Sequence, residues 1–477
     1  MVASKTPLVW GALGILVLLA TARADELTLT EVRRSTQQHV PTILRALANL
    51  RVATGERQAA QGAFDLVFSG DSYNRLGGFW DGRAQTFKAN KPISDFGASV
   101  YGQYRLSDGF FPIYEDEYFT NTGGQAKLGV LFSLLRDRDI DPRRFALADA
   151  EFTLRASELE LLLVRIGLAR EASVAYWRWV AAGQRLDIYR RLLANAEDRN
   201  EGLEREIREG ARAAIFLTEN LQNITRRRAL VVRAERDLAL AANTLAFFVR
   251  DQAGEMRSPE LPEMPADLGP EPEPTALPTD YTAQLESVLA RHPELAALQN
   301  AMARSRARIA LRENSIRPRL DVNVELAHGL GAVAEGGNSR DSTDTIVGLT
   351  FSVPLARREA RARLAQERDR LAALELETQQ LRDTVEQSLV AIEVQRFYAL
   401  QLYELASQEV TQLMTLREAE SRRFAAGASD FFLVNIREEN TANSEIQLLN
   451  ARLDAVIAAV NYEAATLDLP ALGIELQ

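Results

Sequence analysis

Leu128-Gly129-Val130-Leu131-Phe132-Ser133-Leu134 returns, 219 residues later, as Val347-Gly348-Leu349-Thr350-Phe351-Ser352-Val353. Each copy is an apolar-alternating strand, and each leads into an uninterrupted helical pattern, about residues 142 to 208 and 357 to 425. At ~1.5 Å per residue such a helix is a rod of ~100 Å, too long for the interior of a globular domain. A strand hairpin joined to a rod, twice in one chain, points to a pore or tube and not to an enzyme cleft.

Reading outward, each copy repeats one plan. Residues 27 to 61 read as one helix, followed by a strand at about 63 to 73 that opens with Phe64-Asp65-Leu66-Val67-Phe68. A second strand at 124 to 134, the rod 142 to 208, a Gly-marked break and a helix over 213 to 250 complete the first repeat, residues 25 to 250. The second repeat, 281 to 477, has a helix at 281 to 316, strands at 318 to 328 and 345 to 355, the rod 357 to 425 and a helix at 430 to 468. Between them residues 259 to 278 hold seven prolines, a density that forbids helix and central strand, so 251 to 280 is a linker expected to lie against the outside of the rods. Asp141-Pro142 reads as a helix start, with Asp as N-cap and Pro in the first turn.

The two shorter helices of a repeat together match one rod in length, so two half-rods stacked end to end lie beside each long one. That packing buries Phe145, Phe152, Leu159, Leu163, Ile166, Val174, Trp177, Leu186, Ile188 and Leu192. In the strands, Leu320, Val322 and Val324 alternate with Asp321, Asn323 and Glu325, and Val347, Leu349, Phe351 and Val353 alternate with Gly348, Thr350 and Ser352. Period two with one apolar and one small or polar face fits a barrel strand, the first set facing lipid and Asp321, Asn323, Glu325, Thr350 and Ser352 facing a lumen. A half-buried sheet on a soluble core has the same alternation. The loop from Leu330 to Asp344 is Gly-rich and polar, as an outer loop should be.

Two hairpins supply four strands and membrane barrels need at least ~8, so the chain must oligomerise to close. The first hairpin departs from the second: Asp65 to Gly129 spans 64 residues where Asp321 to Gly348 spans 27. The extra 37 residues include Tyr101, Tyr104, Phe110, Phe111, Tyr114, Tyr118 and Phe119, seven aromatics in a chain that is 7% aromatic. They fit an interfacial girdle or plug-like loop, a Tyr-rich surface hairpin, or a further strand pair that enlarges the barrel.

The termini and composition are consistent with export. Lys5, the apolar run Leu8 to Ala20 and Ala22-Arg23-Ala24 read as a signal peptide, residues 1 to 24, cleaved before Asp25. The run is shorter than the ~20 residues of a membrane span, and no other stretch reaches that length. The chain has no cysteine, which excludes both disulfides and a lipidated N-terminal Cys. Its formal charge is -10, and losing Lys5 and Arg23 takes it near -12, with Arg scattered among Glu and Asp on helix faces, which disfavours nucleic acid as a partner.

The chain resembles the TolC family of outer-membrane efflux proteins, the outer membrane factors, over essentially all of its mature length. Three stretches carry the resemblance: the strand Val347-Gly348-Leu349-Thr350-Phe351-Ser352-Val353-Pro354-Leu355, the helix start Arg291-His292-Pro293-Glu294 with its looser echo His39-Val40-Pro41-Thr42, and the turn Arg423-Phe424-Ala425-Ala426-Gly427. It implies a mainly α fold with a membrane β-barrel: a homotrimer with a 12-stranded barrel in the outer membrane of a Gram-negative bacterium and a ~100 Å α-helical tube in the periplasm. The narrow end would be opened by a periplasmic adaptor (membrane fusion) protein coupled to an inner-membrane pump. Leu134-Leu135 in place of Pro-Leu, Ala356-Arg357-Arg358 in place of Phe-Asp-Gly-Gly, and the first-hairpin insertion depart from the family pattern.

The resemblance places the gated tip at the Gly turns. Gly210 and Gly427 allow the left-handed backbone that reverses a helix. Ile207 and Phe424, three residues before them, either pack across the pore or make an ordinary hairpin contact. Arg212 and Asp430, at nearly equivalent positions after the glycines, either bridge the helices as a gate or act locally, Asp430 as the cap of the helix beginning at Phe431. Asp321, Asn323 and Glu325 either favour cations or simply hydrate a wide pore. Glu115-Asp116-Glu117 is either a divalent-ion site or a solvated loop.

For catalysis the sequence offers no support. His39, His292 and His328 are far apart, and there is no nucleophile motif or phosphate-binding Gly loop. The expectation is a non-enzymatic channel-tunnel with no cofactor and no metal. A periplasmic coiled-coil scaffold or adaptor would share the signal and the rods, but has no reason for a lipid-facing strand hairpin in each repeat. The outer duct of a type I protein secretion system is the alternative within the channel class.

Overall fold

Two prolines set the plan of the molecule by cutting each half-rod. The computed structural model describes residues 26–112, 120–251, 253–269, 271, 275–333 and 342–475. The signal segment, Tyr114, Glu115-Asp116-Glu117, Tyr118, Phe119 and much of the Leu330 to Asp344 loop lie outside the described residues.

The stretches 27–61 and 281–316, read as one helix each, are each two. α1 (Leu29–His39) begins with a capping box in which Glu31 N–H donates to the Thr28 hydroxyl at 3.2 Å and Thr28 N–H donates to the Glu31 carboxylate at 2.9 Å. It stops at Val40, and α2 (Pro41–Gln61) starts on the proline. In the second repeat α5 (Thr282–Arg291) stops at His292 and α6 (Pro293–Ile316) starts on Pro293. Val40 and His292 have extended ψ of 124° and 118°. A residue before proline is pushed out of the helical region, and the proline has no N–H with which to continue the ladder, yet suits a first helical position.

Between the half-rods and the rods lies one antiparallel sheet of six strands in sequence order: β1 (Val67–Asn74), β2 (Arg83–Pro92), β3 (Ala98–Asp108), β4 (Gln125–Ser133), β5 (Arg319–Gly329) and β6 (Thr343–Ser352). Of the readings of the insertion, the described residues show the further strand pair. It is the hairpin β2–β3, threaded between the two strands expected of the first hairpin, and it enlarges the sheet from four strands to six.

The rods are α3 (Pro142–Arg208) and α7 (Arg358–Ala425), followed by α4 (Ile215–Ala246) and α8 (Phe431–Ala465). Asp141 caps α3, its carboxylate accepting from Arg143 and Arg144 N–H at 2.7 and 3.0 Å. Half-rods line both rods: α2 and α4 pack on α3, and α6 and α8 on α7, with α8 also reaching α3.

The core is a collar at mid-height of α3. Trp179, Val180, Leu192, Leu245, Leu268 and Leu449 converge there with Leu27 and Val32. Each fully buried Leu or Val is worth about 1.5–3 kcal/mol. In the expected stripe Leu159, Ile166, Leu186, Ile188 and Leu192 are buried, whereas Phe145, Phe152, Leu163, Val174 and Trp177 are half-buried. Tyr176 and Trp179 take the centre instead of Trp177. Trp177 covers the linker at Gly269, and Tyr176 turns inward to donate to Leu27 C=O at 2.9 Å, burial pushing its hydroxyl up to about 12.

The described part of the linker is a strap across this collar. Leu27 N–H donates to Glu263 C=O at 2.8 Å and Arg452 to Gly269 C=O at 2.7 Å. Met264 fills the space over Gly183, where a Cβ would stand 2.0 Å from its sulfur.

Candidate functional site

The register sorts the sheet into two faces. Leu320 opposes Phe351, Val322 opposes Leu349 and Val324 opposes Val347, so the apolar residues of β5 and β6 share one side. The same side continues through Leu128, Val130 and Phe132 on β4, Val100 on β3, Phe87 on β2 and Phe68 on β1. It is bare: Phe68, Val347, Leu349 and Phe351 are 70, 64, 71 and 63% exposed. Soluble monomers rarely leave so continuous an apolar patch uncovered. Val353 follows the end of β6 and is half-buried.

The opposite face is polar and hydrogen-bonded across strands. Asp321 opposes Thr350, and Arg319 opposes Ser352. Glu325 accepts from the Tyr101 hydroxyl at 2.8 Å and from Lys127 Nζ at 3.1 Å, and Asn323 Oδ1 lies 3.0 Å from the same hydroxyl. Asp321, only 3% exposed, accepts from Ser133 Oγ at 2.9 Å and pairs with Arg319 at 2.5 Å. Thr350 and Ser352 are exposed. Gly129 makes the cross-strand contact to Glu325 possible, because the Tyr101 ring lies over it on the way from β3 to β5.

At the far end of the rods the two repeats make the same turn. Gly210 and Gly427 have φ of +75° and +71°. Ala211 N–H donates to Glu206 C=O and Ala428 N–H to Arg423 C=O, both at 2.8 Å, which is the Schellman closure of α3 and α7. Arg212 does not reach Asp430. It pairs with Glu206 and lies over the Phe424 ring at 5.0 Å and the Phe216 ring at 5.7 Å. Asp430 instead caps α8, accepting from Leu433 N–H at 2.8 Å. Of the two readings of this pair the structure shows the local one: Asp430 is a helix cap, and Arg212 is a cation over two aromatic rings. Ile207 is half-buried in the last turn of α3.

Above the turn the contacts continue through the wall. Phe216 meets Phe431 edge-on at 6.1 Å, and Arg199 lies over Phe431 at 5.7 Å. Arg199 also pairs with Glu438, whose other oxygen accepts from Arg227 at 3.2 Å. Arg227 is 2% exposed, and burial lowers its pKa although Glu438 opposes the shift.

Among the described residues no helix is long and apolar enough to cross a membrane, and no group of three or more His, Asp or Glu side chains is placed to hold a metal ion. No family model matches the chain, and neither does any curated protein sequence. Solved structures do. A membrane protein from Pseudomonas aeruginosa superposes with a TM-score of 0.63 at 16% identity, over 92% of this chain and 93% of that one. The outer membrane channel CmeC of Campylobacter jejuni gives 0.62 at 13% identity, over 94% and 86%. The outer membrane protein VceC of Vibrio cholerae gives 0.61 at 14%, over 92% and 95%.

This chain has the fold of outer-membrane channels.

Within the channel fold, sequence reasoning missed the partners of the acidic residues on the polar face. Lys127 pairs with Glu325 and Arg319 with Asp321, so these two acids carry basic partners on that face. Lys127 stands two residues from Gly129 on the same strand face, a spacing visible in the sequence, but the strand it would meet was not. The Arg199–Glu438–Arg227 cluster was equally hidden, because its members are separated by up to 239 residues and join only when α8 crosses α3.

Proposed function

We propose that the chain is a member of the TolC family: an outer-membrane channel-tunnel that conducts substrates passively from the periplasm to the exterior. The observation that carries this reading is the sheet with one bare apolar face and one polar, cross-linked face, mounted on two ~100 Å helical rods. An apolar face of strands 8 to 11 residues long suits the hydrocarbon layer, and the polar face suits a hydrated lumen.

The chain works as an oligomer, since a six-stranded sheet has two open edges and falls short of the ~8 strands a membrane barrel needs, and the TolC resemblance makes that oligomer a homotrimer. The rods continue the lumen through the periplasm, and the Gly210 and Gly427 turns form the narrow end. A periplasmic adaptor and an inner-membrane pump deliver the substrate there. No chemical step is required of the chain; its contribution is a wall that water and solute can follow.

The test is single-channel conductance of the purified protein in a planar bilayer, together with its mass in detergent. Long-lived conductance from a particle of three chains is expected. A water-soluble particle without conductance overturns the proposal and leaves a periplasmic scaffold.

A further inference from the structure

The geometry points to a barrel of eighteen strands, six from each of three copies, closed by β1 of one copy pairing with β6 of the next. This inference rests on the channel reading and goes beyond it, because the four strands of two simple hairpins would close only twelve. The inserted β2–β3 hairpin is part of the wall: Arg83 to Pro92 pairs residue for residue with β1 on one side and β3 on the other. It is not a flap laid over the sheet.

Three observations commit the open edges to a second copy of this chain. β1 is exposed along its whole length and β6 at all but Gly348, so each carries a row of backbone groups with no partner on the outer side. In a meander of six strands β1 and β6 run in opposite directions, so successive copies join antiparallel without a break in the pattern. The bare apolar residues nearest the two edges, Phe68 on β1 and Val347, Leu349 and Phe351 on β6, lie on the same face, so the junction makes one continuous apolar band.

Barrel diameter grows roughly in proportion to strand number, so eighteen strands give a lumen about half again as wide as twelve. The added strands also extend the polar face, bringing Thr86, Lys88, Asn90 and Gln103 into register with Asp71, Ser69, Val67 and Lys127. The barrel is then a wide hydrophilic mouth, and the size limit on cargo falls to the helical end of the duct.

The deciding experiment is a strand count by electron cryo-microscopy of the full chain in lipid nanodiscs. Eighteen strands, with β1 of one copy beside β6 of the next, are expected. Twelve strands in a trimeric channel, with β2–β3 outside the wall, overturn the inference and leave the channel reading intact; failure to insert in lipid overturns both. A second measurement uses the absence of native cysteine. Thr350→Cys is labelled from outside by maleimide polymers of graded size, in the full chain and after excision of residues 83–108. A cut-off diameter about 1.5-fold larger in the full chain is expected, and equal cut-offs in two trimeric channels count against the wider barrel.

Discussion

The Tyr101 hydroxyl donates to the Glu325 carboxylate at 2.8 Å across an intervening strand, its ring lying over Gly129. A Cβ at position 129 would stand 2.3 Å from the ring, so any side chain there must expel it. Gly129→Val should therefore lower the unfolding temperature of the sheet more than Tyr101→Phe, which keeps the ring and loses only the hydroxyl, at a cost of about 1 kcal/mol. Thermal loss of the strand signal in circular dichroism, in detergent, orders the two variants.

Glu438 holds two arginines, one of them fully buried. Glu438→Ala leaves Arg227 with only the Leu192 carbonyl, at 2.7 Å, and should destabilise the protein by about 3–5 kcal/mol. Arg227→Met removes the buried charge together with its need for a partner and should cost far less. Chemical denaturation of the two variants measures the difference; equal losses would mean that the pair acts only through packing.

Burial holds His292 below the ordinary histidine range despite the nearby Glu294. The folded state thus binds its proton less tightly than the unfolded chain does. Stability from this site is complete above the unfolded value of about 6.5 and declines as pH falls from there through the lower folded value. Between pH 7.5 and 5.5 the wild type should lose thermal stability that His292→Gln does not lose. Parallel melting curves for the two proteins across that range would contradict the assignment.

The tip yields a contrast between two neighbouring side chains. Asp430→Ala removes a helix cap and should cost about 1 kcal/mol while leaving channel conductance unchanged. Arg212→Ala removes the cation from Phe424 and Phe216 and frees Glu206, and should raise conductance. Bilayer recordings of both variants decide whether closure lies in the aromatic contact.

How much of this was legible in the sequence follows the range of each interaction. The rods were readable because a cap and a proline at Asp141-Pro142, and a glycine after the last turn, act within a few residues. The proline breaks at Val40 and His292 were equally local signals, and they overrule an apolar period that runs across them. The two sheet faces followed from alternation. The placement of β2–β3 did not, because an amphipathic hairpin rich in tyrosine suits a surface loop as well as a wall, and only pairing with β1 and β4 distinguishes them. At the tip the cap at Asp430 was legible, because an N-cap acts within three residues, whereas the seat of Arg212 over Phe424 and Phe216 depends on two helices meeting and was not.

The strap that seats Met264 on Gly183 also fixes a point at the waist of α3. Below Gln184, whose amide is held by Ala266 C=O at 2.6 Å, the rod runs on to Arg208 as a lever arm of about 36 Å. A swing of about 5° there carries its end through about 3 Å. A small tilt at the waist would thus be magnified at the Gly210 turn, about 36 Å from the strap.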